Sequence, residues 1–307
     1  MRALWHRRAV RHVVLGLLPL VVVGPLLVLG LALRFADTAT PLREATARAT
    51  ATVVRSGVGP DGREAEVRWT DESGRAVTST VRAAGTADVP VGTQVALRHR
   101  PGDTGRVFVN GDETSARLSE LAFGIGLVGL VVAVAVAVSA GHLVRRRAAE
   151  RRPTTTLPVS YARSRLGLVR RSWLLVQEEG RAWWIPVHWD PALETLPPGS
   201  RAGVHGRPSR DRVIVVDVDG TPVWQAGRRR LGPPRGEISS AATGAPDRGV
   251  SLGRHFRADA GPLAAAPVLG LLWAYVSDGG GTTWLLATVV AAAVLFWVPT
   301  VFGSDPA

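Results

Sequence analysis

The residues able to do chemistry are few and scattered. Seven histidines occur, His6, His12, His99, His142, His188, His205 and His255. No two of them stand four apart, the spacing that presents two imidazoles on one helical face, and no His-Glu-x-x-His occurs. Glu64 and Glu66, and likewise Asp217 and Asp219, stand two apart in alternating segments, which puts each pair on one face of a strand. Paired carboxylates can divide acid and base roles or hold a hard cation. Here Arg63, Arg68 and Arg212 lie beside them, and solvated, charge-balanced strand faces account for both pairs. There is no phosphate-cradling Gly-x-x-x-x-Gly-Lys. All 37 basic residues are Arg, so Schiff-base chemistry and Ser–Lys dyads are excluded. Cysteine is absent, which excludes disulfides and thiolate metal sites. From these residues we expect no enzyme, no catalytic residue, no cofactor and no metal site.

The elements that carry these residues are dominated by four apolar runs, at 13–33, 121–141, 261–276 and 282–302. Each is empty of ionisable side chains away from its edges, so each can cross a bilayer as a helix. That emptiness argues against transport chemistry, which places ionisable groups at membrane depth. The third run is short and carries Pro262 and Pro267; Ser277-Asp278-Gly279-Gly280-Gly281 joins it to the fourth as a tight helical hairpin. The first run exceeds the usual apolar core of a signal peptide, about 7–15 residues, and no small-x-small cleavage site follows Leu33, so it reads as an uncleaved anchor. Charge orients the spans. Residues 34–117 hold 12 Arg against 11 acids, whereas 143–260 hold 21 Arg against 11, and Arg145, Arg146, Arg147, Arg151 and Arg152 directly follow the second run. The positive-inside tendency then places 143–260 and both termini in the cytoplasm of a multi-pass plasma-membrane protein. Trp5, Trp273, Tyr275, Trp284 and Trp297 fall near the expected helix ends, where amphipathic rings favour the headgroup zone.

Both large loops alternate with period two. Residues 47–55, 63–70, 76–83, 94–100 and 106–110 read as strands of an outer module; 172–177, 182–187, 201–205, 212–217 and 221–224 read as strands of an inner one. The expected fold class is therefore a membrane protein of four transmembrane helices with two small all-β modules, a five-stranded barrel or sandwich outside and a similar one inside. In order, the chain reads as a basic N-terminus (1–12), span (13–34), outer β module (35–117), span (118–144) and basic linker (145–158). There follow the inner β module (159–225), a flexible tether (226–260), a span (261–276), a turn (277–281), a span (282–303) and a tail (304–307). The loops also resemble each other. Gly74-Arg75-Ala76 recurs as Gly180-Arg181-Ala182, and, one inserted residue later, Leu97, Arg100-Pro101, Val107 and Val109 fall on Val204, Arg207-Pro208, Ile214 and Val216. The inner copy adds Trp173, Trp183, Trp184, Trp189 and Trp224; with no nucleic-acid signature beside them, core packing and surface placement account for them, and no nucleic-acid partner is expected. Arg145, Arg146, Arg147, Arg228, Arg229 and Arg230 lie close to the expected inner leaflet, where anionic headgroups attract such side chains.

The runs Ala49-Thr50-Ala51-Thr52-Val53-Val54, Ala65-Glu66-Val67-Arg68-Trp69-Thr70-Asp71 with Gly74, and Val91-Gly92-Thr93-Gln94-Val95-Ala96-Leu97-Arg98-His99-Arg100-Pro101-Gly102-Asp103 stand between two apolar helices. In this the first 145 or so residues resemble an uncharacterised family of bacterial, especially actinobacterial, integral membrane proteins. The resemblance implies an extracytoplasmic β module held between transmembrane segments and assigns no activity to any residue. The expected function is a non-enzymatic accessory, scaffold or signal-relay component of the cell envelope that contacts membrane lipids and binds protein partners through its β modules. An accessory subunit of a transporter or export complex is the alternative, and an envelope hydrolase using Glu64 and Glu66 a third.

Overall fold

The computed structural model describes residues 7–167, 169–240, 250–277 and 279–306. Helix α1 (Arg8–Glu44) leads into five antiparallel strands, β1 (Ala47–Val58), β2 (Glu64–Thr70), β3 (Ala76–Arg82), β4 (Gln94–His99) and β5 (Val107–Val109). Helix α2 (Glu113–Ala149) leads into β6 (Thr154–Leu166), β7 (Val169–Glu178), β8 (Arg181–Val187), β9 (Ser200–His205), β10 (Val215–Val218), β11 (Thr221–Trp224) and β12 (Glu237–Ser240). The short helix α3 (Leu252–Asp259), a 3-10 stretch (Gly261–Ala265), α4 (Ala266–Val276) and α5 (Gly281–Phe302) complete the fold. The chain divides into two compact units, residues 25–130 and residues 1–24 with 131–307.

Four helical segments are long and apolar enough to cross a membrane: Arg8–Glu44, Glu113–Ala149, Leu252–Val276 and Gly281–Phe302. At 1.5 Å per residue, α1 and α2, with 37 residues each, run about 55 Å, well beyond a hydrocarbon core of about 30 Å. The third segment is broken where Pro262 and Pro267 remove backbone donors; α4 supplies only about 17 Å and the 3-10 stretch about 10 Å more. Large side chains such as Leu26, Leu29, Phe123, Leu271 and Tyr275 stand exposed along these helices, a surface that water does not tolerate in one contiguous band.

The unit of residues 25–130 holds a curled sheet of order β3-β2-β1-β4-β5. β1 is its spine, and register shifts between Val53 and Val58 bend it. Ala51, Val53, Val67, Trp69, Val81, Leu97 and Val107 fill the concave side. Trp69 is kept in place by its indole N–H, which donates to Ser79 Oγ at 3.0 Å, and by the ring of His99 at 4.5 Å. At the β2–β3 turn Asp71 Oδ1 accepts from the Ser73 hydroxyl and from the amides of Ser73 and Arg75. Those bonds, Ser73's hydroxyl foremost, hold the Asp71 carboxyl below the usual carboxylate range.

The other unit holds a seven-stranded sheet of order β11-β10-β9-β6-β7-β8, with β12 on the second half of β6. Two of its strands lie wholly or partly in segments read above as links: β6 begins inside 145–158, and β12 lies in the supposed tether 226–260. Residues 225–230 return to the free edge of β8, where Trp184 and Arg230 exchange backbone hydrogen bonds of 2.8 and 2.9 Å and Ala226 N–H donates to the Pro186 carbonyl at 2.7 Å. This covers an otherwise open edge.

The two sheets share one plan. Strand order β3-β2-β1-β4-β5 is matched by β8-β7-β6-β9-β10. The facing pairs Leu97–Val109 and Arg98–Phe108 become, 107 residues on, the facing pairs Val204–Val216 and His205–Val215. Core positions correspond as well: Val53, Val81, Leu97 and Val107 equate to Val159, Val187, Val204 and Ile214. Each sheet follows a 37-residue helix, so the repeating unit is helix plus module.

Within the second unit, helices approach closely at small residues, as lipid-embedded helices do. Gly16 faces Thr300, Gly24 faces Val132, and a Cβ on Gly270 would collide with the Thr288 side chain and lie 2.8 Å from its backbone nitrogen. Leu20, Ala135 and Ala293 pack beside them. Replacing Gly270 by Leu should therefore prise the α4–α5 hairpin apart at an overpacking cost of about 1–3 kcal/mol. The thermal midpoint of the detergent-solubilised protein should fall by several degrees, whereas Gly30→Leu, at a position with no atom within 4 Å, should leave it unchanged.

Candidate functional site

Four of the seven histidines converge where helix ends meet the seven-stranded sheet. His12 comes from the first turns of α1, His142 from the end of α2, His188 from the segment after β8 and His255 from α3. All four are buried, with Asp259 at 2% exposure beside them. His12 Nε2 lies 2.7 Å from Asp259 Oδ2, and the His12 and His255 rings stack at 3.9 Å. His142 Nε2 meets His188 Nε2 at 2.9 Å, edge to face. Burial, reinforced by His142, Arg146, His12 and His255, holds His188 well below the usual imidazole range, so its ring is neutral. Two neutral imidazoles meeting nitrogen to nitrogen require opposite tautomers, one donating and one accepting.

His255 is fixed more tightly. Its Nε2 lies 3.1 Å from the Ser304 carbonyl oxygen and 3.0 Å from Ser304 Oγ. A carbonyl only accepts, so Nε2 carries the proton and Nδ1 presents a bare lone pair. That Nδ1, Asp259 Oδ1 and His188 Nδ1 are buried without a hydrogen-bond partner. Interiors seldom leave such atoms unmet.

Beside this cluster, residues 303–306 turn back into the sheet instead of hanging free as the expected tail. Asp305 Oδ2 accepts from Tyr161 Oη at 2.9 Å, from Ser172 Oγ at 2.7 Å and from Arg163 Nε at 3.2 Å. Arg163 also pairs with Glu194, which accepts from Trp189 Nε1 at 2.8 Å. Gly303 (φ 72°) is the hinge: a Cβ there would crowd the Val187 carbonyl, and its left-handed backbone suits glycine. Burial first, then the Asp305 charge, raises the Tyr161 phenol far above its ordinary range. Next to His188, a cavity of about 410 Å³ is lined by Arg7, Arg8, Arg11, Trp189, Asp190 and Trp224 among others. Arg8 stacks over Trp189 at 4.5 Å.

The arginines singled out from the sequence separate into two groups. Arg146 is buried and donates to the carbonyls of Gln225 and His142; Arg229 lies over Trp183 and bonds the Asp211 and Ser209 carbonyls; Arg230 lies over Trp173. Arg145, Arg147, Arg228 and, despite its contact with Trp173, Arg230 are exposed, with Arg147 paired to Glu150 at 2.6 Å. Of the carboxylate pairs, Glu66 is 3.4 Å from Arg55 and Glu64 packs under the Gly59 turn. Asp217 Oδ1 is buried without a partner, and Asp219 occupies the left-handed turn between β10 and β11. His99 packs on Trp69 and His205 Nδ1 lies 3.2 Å from Thr154 Oγ1, in separate units.

No His–His spacing in the sequence marks this cluster. His255 and Asp259 stand four apart, one turn of α3, and Ser251 caps that helix by accepting from Arg254 N–H at 3.2 Å. The signal was a Ser-initiated amphipathic octet inside a segment read as tether. No family model matches the chain, and neither curated proteins nor solved structures give a match.

The Tyr161–Asp305 contact makes an alkaline prediction. A phenol whose folded-state pKa is raised stabilises the fold fully below its unfolded value, about 10, and loses that contribution as pH climbs beyond it. The chain has no Lys and no Cys, so neither residue type titrates across this range. Between pH 9 and 11.5 the unfolding free energy should fall, by up to about 1.4 kcal/mol per pH unit above 10. In Tyr161→Phe that alkaline limb should flatten, as followed by denaturant titration in detergent.

Proposed function

We propose that the protein is a multi-pass plasma-membrane protein that relays or scaffolds, without catalysis, between partners of an outer and an inner β module. The observation that carries this reading is the buried polar joint. The start of α1, the end of α2, α3 and the segment after α5 all end in buried polar bonds, α1 and α3 to each other, α3 to the segment after α5, and α2 and that segment to the seven-stranded sheet and the residues that follow its strands. Such bonds tie each helix end to the sheet, to the segments that follow its strands or to a neighbouring helix end, so a shift of one helix by an ångström must be met by its neighbours or break a buried bond. Repetition of a unit with one apolar helix supports the topology: a single crossing per copy turns the next copy over. The arginine surplus of residues 143–260 favours the cytoplasm for the second module, with both termini there. Exposed Arg145, Arg147 and Arg228 are then placed for anionic headgroups.

A second reading, an accessory subunit of a transporter or export complex, draws on α4, whose Val268, Leu271, Leu272, Tyr275 and Val276 face outward. That face suits a partner helix as well as lipid.

Because the chain has no native Cys, single cysteines report sidedness without background. Cysteine at Ser73 should react with an impermeant thiol reagent in intact cells, and cysteine at Ser209 only after permeabilisation. Both serines are exposed. Labelling of Ser209→Cys in unbroken cells would remove the topology, and with it the relay. Crosslinking followed by purification should then recover a companion through each module. Recovery dependent on the α4–α5 hairpin alone would favour the transporter-subunit reading instead.

A further inference from the structure

We propose that His12, His255 and Asp259 form a binding site for a divalent first-row transition metal of the zinc class. Each residue offers a ligand atom, and these atoms all lie within 4.8 Å of one another. Bonds of about 2.0–2.2 Å to nitrogen and oxygen are reached from such a triangle by small side-chain rotations.

Three features point to a cation. The first is unmet acceptors: His255 Nδ1 bears a lone pair because Nε2 donates to the Ser304 carbonyl, and Asp259 Oδ1 is an anionic oxygen; both are buried without a donor. Two acceptors facing no donor in an interior are costly, and neither can satisfy the other. A metal satisfies both at once and replaces the His12–Asp259 hydrogen bond. The second feature is orientation. An imidazole whose far N–H is held by a backbone carbonyl is the arrangement that fixes tautomer and ring direction in metal-ligating histidines. Ser304 supplies it, with its hydroxyl as a second contact. The third is spacing and surroundings: His255 and Asp259 project from one face of α3, His12 arrives from α1, and Phe256 and Trp189 close the apolar wall at 5.1 Å from His12 and 6.0 Å from His255.

Two imidazoles and one carboxylate suit zinc, cobalt, nickel, manganese or ferrous iron, whereas calcium and magnesium seek six or more oxygens. Three protein ligands leave a fourth position for water or an incoming donor. The site joins α1 to α3 across 247 residues of sequence, so the metal would add a coordinate bond to the polar joint. Nothing in this assignment depends on the modules having partners.

The test uses the full-length protein in detergent, freed of any affinity tag by cleavage and stripped with a chelator. Titration with Zn²⁺ should reveal one site per chain, and Co²⁺ should give the intense visible absorption of a four-coordinate complex. His255→Gln and Asp259→Asn, chosen for matched size, should each weaken Zn²⁺ binding at least about 100-fold, the scale on which even supporting residues of metal sites act. His205→Gln should bind as wild type does. Zinc should also raise the wild-type thermal midpoint and leave that of Asp259→Asn in place. Failure of the wild-type chain to take up either ion overturns the proposal whatever the variants do. So does a Zn²⁺ affinity unchanged in both His255→Gln and Asp259→Asn, which would locate the binding elsewhere.

Discussion

Buried polar groups must find partners, and at the meeting of helices and seven-stranded sheet this constraint decides the arrangement of the second unit. Helix ends leave backbone groups and charged side chains that lipid cannot satisfy. Here they turn into the sheet. Arg146 donates to the Gln225 carbonyl, Glu150 accepts from Trp224 Nε1 at 2.6 Å, and Asp305 gathers two hydroxyls and a guanidinium. Such contacts are worth little when exposed and much when buried, because removing one partner strands the other in the interior. The sheet is therefore less an appended domain than the partner that completes the helix ends.

The contrast between the two modules follows from the same constraint. Both use one strand order and one register, with Val53, Leu97 and Val107 answering to Val159, Val204 and Ile214. The five-stranded copy fills its concave face with one small cluster around Trp69. The seven-stranded copy extends the plan with β11 and β12, covers the β8 edge with residues 225–230, and adds tryptophans whose N–H groups reach side chains: Trp173 to Ser164, Trp189 to Glu194, Trp224 to Glu150. Additions of that kind are what a module needs in order to receive several helix ends instead of the two that flank it in sequence.

The parts of this fold governed by local pattern were legible in the residues. Apolar runs announced four membrane-length helices, and period-two alternation with Gly-containing turns placed β2, β3, β4 and their counterparts β7, β8 and β9 within three residues. What pattern cannot show is pairing over long distance. β6 begins in Thr154-Thr155-Thr156 after an arginine cluster and contains Pro158, a composition that reads as linker; it becomes a strand because β7, β9 and β12 all bond to it. α3 was hidden for a related reason: its eight residues are too few to hold a helix alone, and packing of His255 and Asp259 supplies the stability. The histidine cluster draws on positions 12, 142, 188 and 255, which no spacing rule connects.

The central claim is that the helix ends and the seven-stranded sheet are one cooperative structure because of their buried polar joint. The most direct measurement is equilibrium unfolding of the detergent-solubilised protein, followed at once by tryptophan fluorescence and by helical circular dichroism, for wild type and Asp305→Ala. The wild-type transitions should coincide. Asp305→Ala strands Tyr161, Ser172 and Arg163 and should destabilise the sheet on the order of 3 kcal/mol, moving the fluorescence transition ahead of the helical one. Separate transitions in the wild type, or an Asp305→Ala protein indistinguishable from it, would contradict the account.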